Sequence, residues 1–448
     1  MKPIFRAIAA VLALTSILLP PADLAAQRLS FIRDTETENT IRGYATPIFA
    51  AAGLNPSDVR IFLVNDSQIN AFVAGGQNLF MNTGLIMTAA NANQVIGVIA
   101  HEAGHIAGGH LARVHDALRK ATAEQIIAMV LGAAAAVASG RPDLGTAVGA
   151  GGQNIAQRSF LAYTRTQEGS ADAAGMKYLD ETGQSARGLL EFMDTLSDQE
   201  LLSPARQDPY LRTHPLTRDR ITALQAHVAQ SPYSDVPVKP EFQSEFERVV
   251  AKLRGFLEAP SVVMRRYPAS DTSVPGRYAR TIAHFRSNDL ERALTEIDAL
   301  IAEHPDDPYF HELKGEMLFE RGRPAEALEP YETAASLLPQ APLIRVELAR
   351  VQLSLDDPQL LDAAIVNLRA AIAFERDRAF AWRQLAIAYG RQGQMGESSL
   401  AMAEEAMLMG KKPEARFHAG KAETLLPTGS PGWIQAQDIL QQVNRKDD

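Results

Sequence analysis

The chain has 448 residues, 46% of them hydrophobic and 22% charged, enough for two or three domains with buried cores. Its 44 Lys and Arg against 53 Asp and Glu leave a net charge of -9, which argues against a nucleic-acid binder that must neutralise phosphates with a basic surface. Cysteine is absent, which excludes a disulfide scaffold, a thiol nucleophile, thiolate metal ligands and an acylated lipoprotein cysteine. Any metal site must be built from histidine and carboxylate.

Residues 1–26 read as a secretory signal. Lys2 and Arg6 precede an apolar run from Ala7 to Leu19, followed by Pro20, Pro21 and small residues up to Ala26. The run is short for a membrane span of about 20 residues. Cleavage after Ala26 is expected, with an uncleaved inner-membrane anchor as the alternative. A chain without thiols suits an oxidising periplasm. Two Pro-rich stretches, 231–240 and 260–275, flank a helical pattern at 241–257. They divide the remainder into a first domain at 28–230, a linker region with a helix at 231–276, and a second domain at 277–448.

The first domain begins with a helical pattern from Thr37 to Ala52. Val59–Val64, Ile69–Ala74 and Asn78–Thr83 read as strands, with Gly75-Gly76 as the turn between the last two. A small antiparallel sheet of three strands is expected, then helices, giving a mainly α (α+β) fold. A long helix is expected from Asn91, with Gln94 as its reciprocal cap. The apolar run 126–138 and the glycine-rich 145–152 read as a buried Ala-rich hairpin with mobility at its glycines. A lid touching a membrane is the alternative reading. In the second domain Ala293, Ala327, Ala364 and Ser398 recur with a period near 34 in helix–turn–helix units, the signature of an all-α tetratricopeptide-repeat solenoid.

The segment with chemistry is His101-Glu102-Ala103-Gly104-His105. Residues four apart share a helix face, so His101 and His105 can offer two imidazole nitrogens to one zinc ion. Glu102 projects beside them, where it can take a proton from the attacking water. His110 and His115 read as structural or surface residues, because His110 falls on the opposite side of a continued helix. A third ligand is needed. Glu168 and Asp172, four apart on an expected helix, are the candidates: one to ligate, the other to hold a ligating histidine through its second nitrogen. From the residues alone either could be the ligand.

HEAGH followed by Glu168 in an E-x-x-x-D motif resembles the HtpX-like gluzincin zinc metallopeptidases. INAFVAGGQNLFMNTGLI (69–86) resembles that family's strand–turn–strand beside the active site, and RTHPLTRDRI (212–221) its downstream histidine–proline motif. With the signal and the repeats, the chain resembles periplasmic BepA-like proteases. The resemblance implies a zincin-type domain holding one zinc per chain, with His101, His105 and Glu168 as ligands, Glu102 as general base and Asp172 behind a ligating histidine. It gives His214 one of two roles: to occupy the open metal position and hold the enzyme inactive, or to stabilise the oxyanion. A helix cap before Pro215 is the third reading. Arg218 or Arg220 could steady this region. The resemblance also implies unfolded or misassembled protein substrates, outer-membrane assembly machinery as partner and a periplasmic location. The hairpin suggests substrate pairing on Asn78–Thr83, with residues 70–74 as its partner strand. The competing class is a chaperone or adaptor whose zinc is structural.

Overall fold

A computed structural model of the protein describes residues 30–110, 165–197, 209–355 and 357–445. The expected signal, His115 and the apolar segment 126–152 lie outside the described residues. Strand β1 (Phe31–Ile32) leads into helix α1 (Thr35–Ala51). Asp34 caps this helix by accepting from the Thr37 amide at 2.7 Å. Strands β2 (Arg60–Val64), β3 (Ala71–Ala74) and β4 (Asn78–Asn82) follow. Gly75 and Gly76 make the β3–β4 turn at φ of 58° and 98°, values a side chain would resist.

The sheet corrects the expectation of three antiparallel strands. It has four, in the order β1-β2-β4-β3, and β2 runs parallel to β4. Alternation along a strand has a period of two in either direction, so it gives the faces but not the polarity. The faces follow the pattern: Leu63, Leu79 and Met81 are buried on the inner side. On the other side Phe31, Phe62, Phe80 and Phe72 form a ladder of rings across all four strands, with successive centroids 5.8, 5.0 and 5.0 Å apart. The expected substrate strand is also corrected. The strand at 78–82 is interior, paired on both sides, and the edge belongs to β3.

After a short helix α2 (Thr83–Thr88), helix α3 (Ala92–Ala107) crosses the inner face of the domain. The Asn91 side chain accepts from the Gln94 amide at 3.1 Å, and Gln94 Oε1 accepts from the Ala90 amide at 2.9 Å, a reciprocal cap. The helix is buried from Gln94 to Gly104. Helix α4, residues 165–181, buries 167–168, 171–172, 175–176 and 178–179, one face at helical spacing. Then come α5 (Arg187–Ser197), α6 (Pro209–Thr213) and α7 (Arg218–Gln230). Within the stretch read as a linker, α8 (Pro240–Leu257) buries Phe246, Val249 and Leu253 in the same core as α3. The second Pro-rich stretch holds α9 (Pro260–Arg266), with proline in the first turn, where its missing N–H costs nothing.

Ten antiparallel helices complete the described chain: α10 (Val274–Arg286), α11 (Leu290–Glu303), α12 (Pro308–Glu320), α13 (Pro324–Leu337), α14 (Pro342–Ser354), α15 (Pro358–Phe374), α16 (Ala379–Arg391), α17 (Met395–Leu408), α18 (Lys412–Leu425) and α19 (Pro431–Asn444). Ala293, Ala327 and Ala364 are fully buried where paired helices meet. Ser398 is half-buried and donates to Ala386 O at 2.8 Å. No helix among the described residues is long and apolar enough to cross a membrane.

Candidate metal centre

Helix α3 presents His101 and His105 one turn apart, and their Nε2 atoms stand 3.1 Å from each other. Gly104, between them, allows α4 to approach: a Cβ there would fall 2.7 Å from the Ala171 carbonyl oxygen. That close approach brings Glu168 of α4 to the two histidines, with Oε2 3.4 Å from His101 Nε2 and Oε1 3.4 Å from His105 Nε2. His214, just after α6, closes the group. Its Nδ1 lies 3.3 Å from His101 Nε2 and 3.2 Å from Glu168 Oε2. The four candidate ligand atoms all lie within 4.8 Å of one another. Three imidazole nitrogens and one carboxylate oxygen suit zinc, which takes nitrogen and oxygen donors in four-coordinate sites.

The surrounding bonds fix which nitrogens face inward. His101 Nδ1 is 2.8 Å from Asp172 Oδ1. A carboxylate only accepts, so Nδ1 carries the hydrogen and the Nε2 lone pair faces the group. His214 Nε2 donates to the Ala71 carbonyl of β3 at 3.2 Å, which leaves the Nδ1 lone pair inward by the same logic. Arg220 holds Asp172 from behind with Nε to Oδ2 at 2.6 Å and Nη2 to Oδ1 at 2.9 Å, and its Nη1 reaches Glu168 Oε2 at 3.1 Å. Of the two arginines considered, Arg220 is the one that steadies the region.

Electrostatics follow from this packing. Burial pushes the Asp172 carboxyl up, but the hydrogen bonds from Arg220 and His101 outweigh it and hold it down at about 2. For His101, burial works against charge, and the Asp172 and Glu168 carboxylates overcome it and raise the imidazole to about 10. Burial, then the neighbouring imidazoles, hold His105 down at about 2. The carboxylates that favour a proton on His101 equally favour a cation among the donors. Glu102 is fully buried, and neither carboxylate oxygen has a hydrogen-bond partner. Burial pushes its carboxyl up, partly offset by His214 and His101. His214 Nε2 stands 3.4 Å from its Oε1, and a carboxylate with no hydrogen bond of its own beside the donor group is suited to accept a proton.

Each candidate residue is thus accounted for. His101, Glu102, His105, Glu168, Asp172 and His214 stand together, and the His214 side chain is not a helix cap. His110 is outside the donor group, but not because it lies across a continued helix. α3 ends at Ala107, Gly109 turns the chain at φ 62°, and His110 Nδ1 comes back to 3.0 Å from His105 Nδ1. Two participants carried no sequence signal. Tyr210 lays its ring 4.7 Å from that of His214, and the Ala71 carbonyl belongs to the backbone.

Fold and donor set together define a zinc metallopeptidase. Residues 33–228 match Peptidase family M48 and residues 278–342 match a tetratricopeptide-repeat family, so the catalytic part of the chain is an M48 domain followed by tetratricopeptide repeats. M48 peptidases use zinc, and His101, His105, Glu168 and His214 form a group that could hold it. The chain is similar to the beta-barrel assembly-enhancing protease of Yersinia pestis, with 24% identity over 403 residues, 86% of this chain and 78% of that protein. It is similar to the protein of the same name from Escherichia coli strain K12, with 24% identity over 374 residues, 82% of this chain and 75% of that one. A shorter likeness, 27% over 176 residues, relates 39% of this chain to 63% of the metalloprotease YcaL of the same strain.

Proposed function

We propose that the protein is a periplasmic endopeptidase that hydrolyses unfolded or stalled chains, outer-membrane proteins among them, with its repeats holding the assembly machinery or the substrate. The observation that carries the reading is the convergence of His101, His105, Glu168 and His214 beside the Glu102 carboxylate, which has no hydrogen bond and stands 3.4 Å from His214 Nε2. In this reading His101, His105 and Glu168 are the ligands, and Asp172, backed by Arg220, orients His101. Zinc, when bound, supplies the Lewis acid that polarises the scissile carbonyl and acidifies water. Glu102 takes the proton of the attacking water and returns it to the leaving amine. The partners and the location follow the names of the relatives and the signal-like N-terminus.

His214 is best read as a plug. Its inward Nδ1 is as close to His101 and Glu168 as a fourth ligand would be, where an open catalytic site would keep that position for substrate. The outer edge of β3, beside His214, is the place for an extended substrate backbone. Metal analysis and casein cleavage test these assignments together. The wild type should hold about one zinc per chain. His214→Ala should cleave faster than wild type, whereas an oxyanion role would make it slower. Glu102→Gln should bind zinc and not cleave. If Glu102→Gln keeps its full cellular function, the adaptor reading wins.

A further inference from the structure

Beyond the end of α3 the chain brings one more imidazole back against the helix. Gly109 turns at φ 62°, and Gly108 leaves room for the returning ring: a Cβ at Gly108 would fall 2.5 Å from His110 Nε2. His110 is 4% exposed, and its ring stands edge-on to that of His105, with centroids 5.0 Å apart and planes at 81°. The Nδ1 atoms of the two rings are 3.0 Å apart, so one of them donates and the other accepts. On its other side His105 turns Nε2 to Glu168 Oε1 at 3.4 Å and to His101 Nε2 at 3.1 Å.

We propose that His110 is a positioning residue for the metal centre: its Nδ1 accepts the hydrogen of His105 Nδ1 and so holds the His105 lone pair on Nε2, toward the donor group. This rests on reading the site as a zinc metallopeptidase with His105 as a ligand. A neutral imidazole carries one ring hydrogen. If His105 gives its Nε2 lone pair to a metal, its hydrogen sits on Nδ1, and His110 Nδ1 must be the acceptor, with the hydrogen of His110 on Nε2. In the reverse arrangement His110 Nδ1 donates, and the His105 hydrogen moves to Nε2, among the donor atoms, where no metal can be bound through it. His101 has no such choice, because the Asp172 carboxylate behind it only accepts. The two histidines of α3 are thus oriented differently, one by a charged acceptor and one by a neutral one. The charge already buried accounts for the difference. Glu102, Glu168 and Asp172 with Arg220 are each 4% exposed or less, and three carboxylates with one guanidinium carry the charge that one divalent cation balances. A further carboxylate behind His105 would be left uncompensated.

The test reads the hydrogen directly and then its consequence. In the zinc-loaded full chain with nitrogen-15 in its histidine rings, the ring nitrogen NMR shifts should show His110 with its hydrogen on Nε2 and a bare, hydrogen-bonded Nδ1. A hydrogen on His110 Nδ1 overturns the proposal. Chelator competition then measures zinc affinity in two variants. His110→Leu keeps bulk without an acceptor and should bind zinc about 10–100-fold more weakly than wild type. His110→Asn, whose Oδ1 can stand in for Nδ1, should recover most of that loss. Wild-type affinity in His110→Leu, or equal losses in both variants, would mean that the acceptor does not matter, and overturns the role. The nitrogen shifts come from the wild type, so they decide the question even if a variant fails to fold. Wild-type protein that binds no zinc would instead sink the metallopeptidase reading itself.

Discussion

Replacing Arg220 by alanine tests the support behind the proposed metal ligands. Arg220 is 4% and Asp172 2% exposed, so neither charge has water to fall back on. The arginine gives Asp172 two bonds, at 2.6 and 2.9 Å, touches Glu168 at 3.1 Å and donates to Pro215 O at 2.9 Å. Removing one partner of such a pair leaves a buried charge uncompensated and costs about 3–5 kcal/mol. That is a large share of the roughly 5–15 kcal/mol that holds a domain folded. Asp172 also fixes the His101 ring, so zinc affinity should fall about 10–100-fold. Arg220→Lys keeps a charge but loses the two-point grip, so it should fall between. Urea unfolding with a chelator present measures the first effect, and chelator competition the second. Because the folded pKa of Asp172, about 2, lies below its unfolded value near 3.9, its ionised form stabilises the fold above about pH 4 and that contribution is lost as pH falls through about 2. Acid unfolding should therefore begin at higher pH in Arg220→Ala. An unchanged urea midpoint together with zinc affinity within about threefold of wild type would refute this account of Asp172.

Three further substitutions probe other parts of the structure. Glu102→Gln should lower cleavage by about 10²–10⁴-fold. The buried carboxyl of the wild type holds its proton more tightly when folded, so metal-free wild type should lose stability relative to the variant as pH rises past about 4.3, which urea midpoints at pH 4 and pH 8 would show. Gly104→Ala places a Cβ 2.7 Å from the Ala171 carbonyl oxygen and should cost about 1–3 kcal/mol, with zinc affinity falling as α4 carries Glu168 away; equilibrium dialysis and thermal melting check both. Glu312 of α12, which accepts from the Thr35 hydroxyl of α1, is pushed up to about 8 by burial, with Lys252 opposing. Its folded form keeps a proton that the unfolded chain gives up near 4.5, so stability should decline as pH climbs from about 4.5 to about 8. Glu312→Gln should flatten that decline in melts at pH 5, 7 and 9.

What could be read from the sequence was what helical spacing dictates. His101 and His105, and Glu168 and Asp172, are four apart, and four residues return a helix to the same face, so both pairs could be placed before any coordinates. Which carboxylate faces both histidines could not be read, because that depends on the rotation of α4 against α3, set by backbone contact at Gly104. The polarity of β2 was hidden because period-two alternation reads the same in both directions. The edge strand was hidden for the same reason: β4 is interior only because β2 lies parallel to it. His110 lies outside the donor group as expected, but its position was misplaced by extending α3 through Gly108 and Gly109. Arg220 could not be told from Arg218 without knowing that Thr217 caps α7, its hydroxyl accepting from the Arg220 amide.

The contact between the sheet domain and the repeats has two kinds of ionic pair, and they do different work. Arg33–Glu375 at 2.7 Å and Arg60–Asp377 at 2.6 Å join strands β1 and β2 to the α15–α16 turn at the surface. Such pairs are screened by salt and contribute about 0–1 kcal/mol each. Beneath them, Arg248 of α8 binds Glu36 of α1 at 2.7 Å and Asp307 before α12, Lys252 binds Asp34, and the Tyr278 hydroxyl of α10 donates to Glu36 at 2.9 Å. Burying these charges gains little over apolar packing of the same volume. The network does require each partner at one place and one angle, and a sliding apolar contact would not. It therefore sets the orientation in which α8, the repeats and the start of α1 meet, a few residues from the strand that begins the sheet. That strand is one edge of the sheet, and His214 is held at the other, on β3.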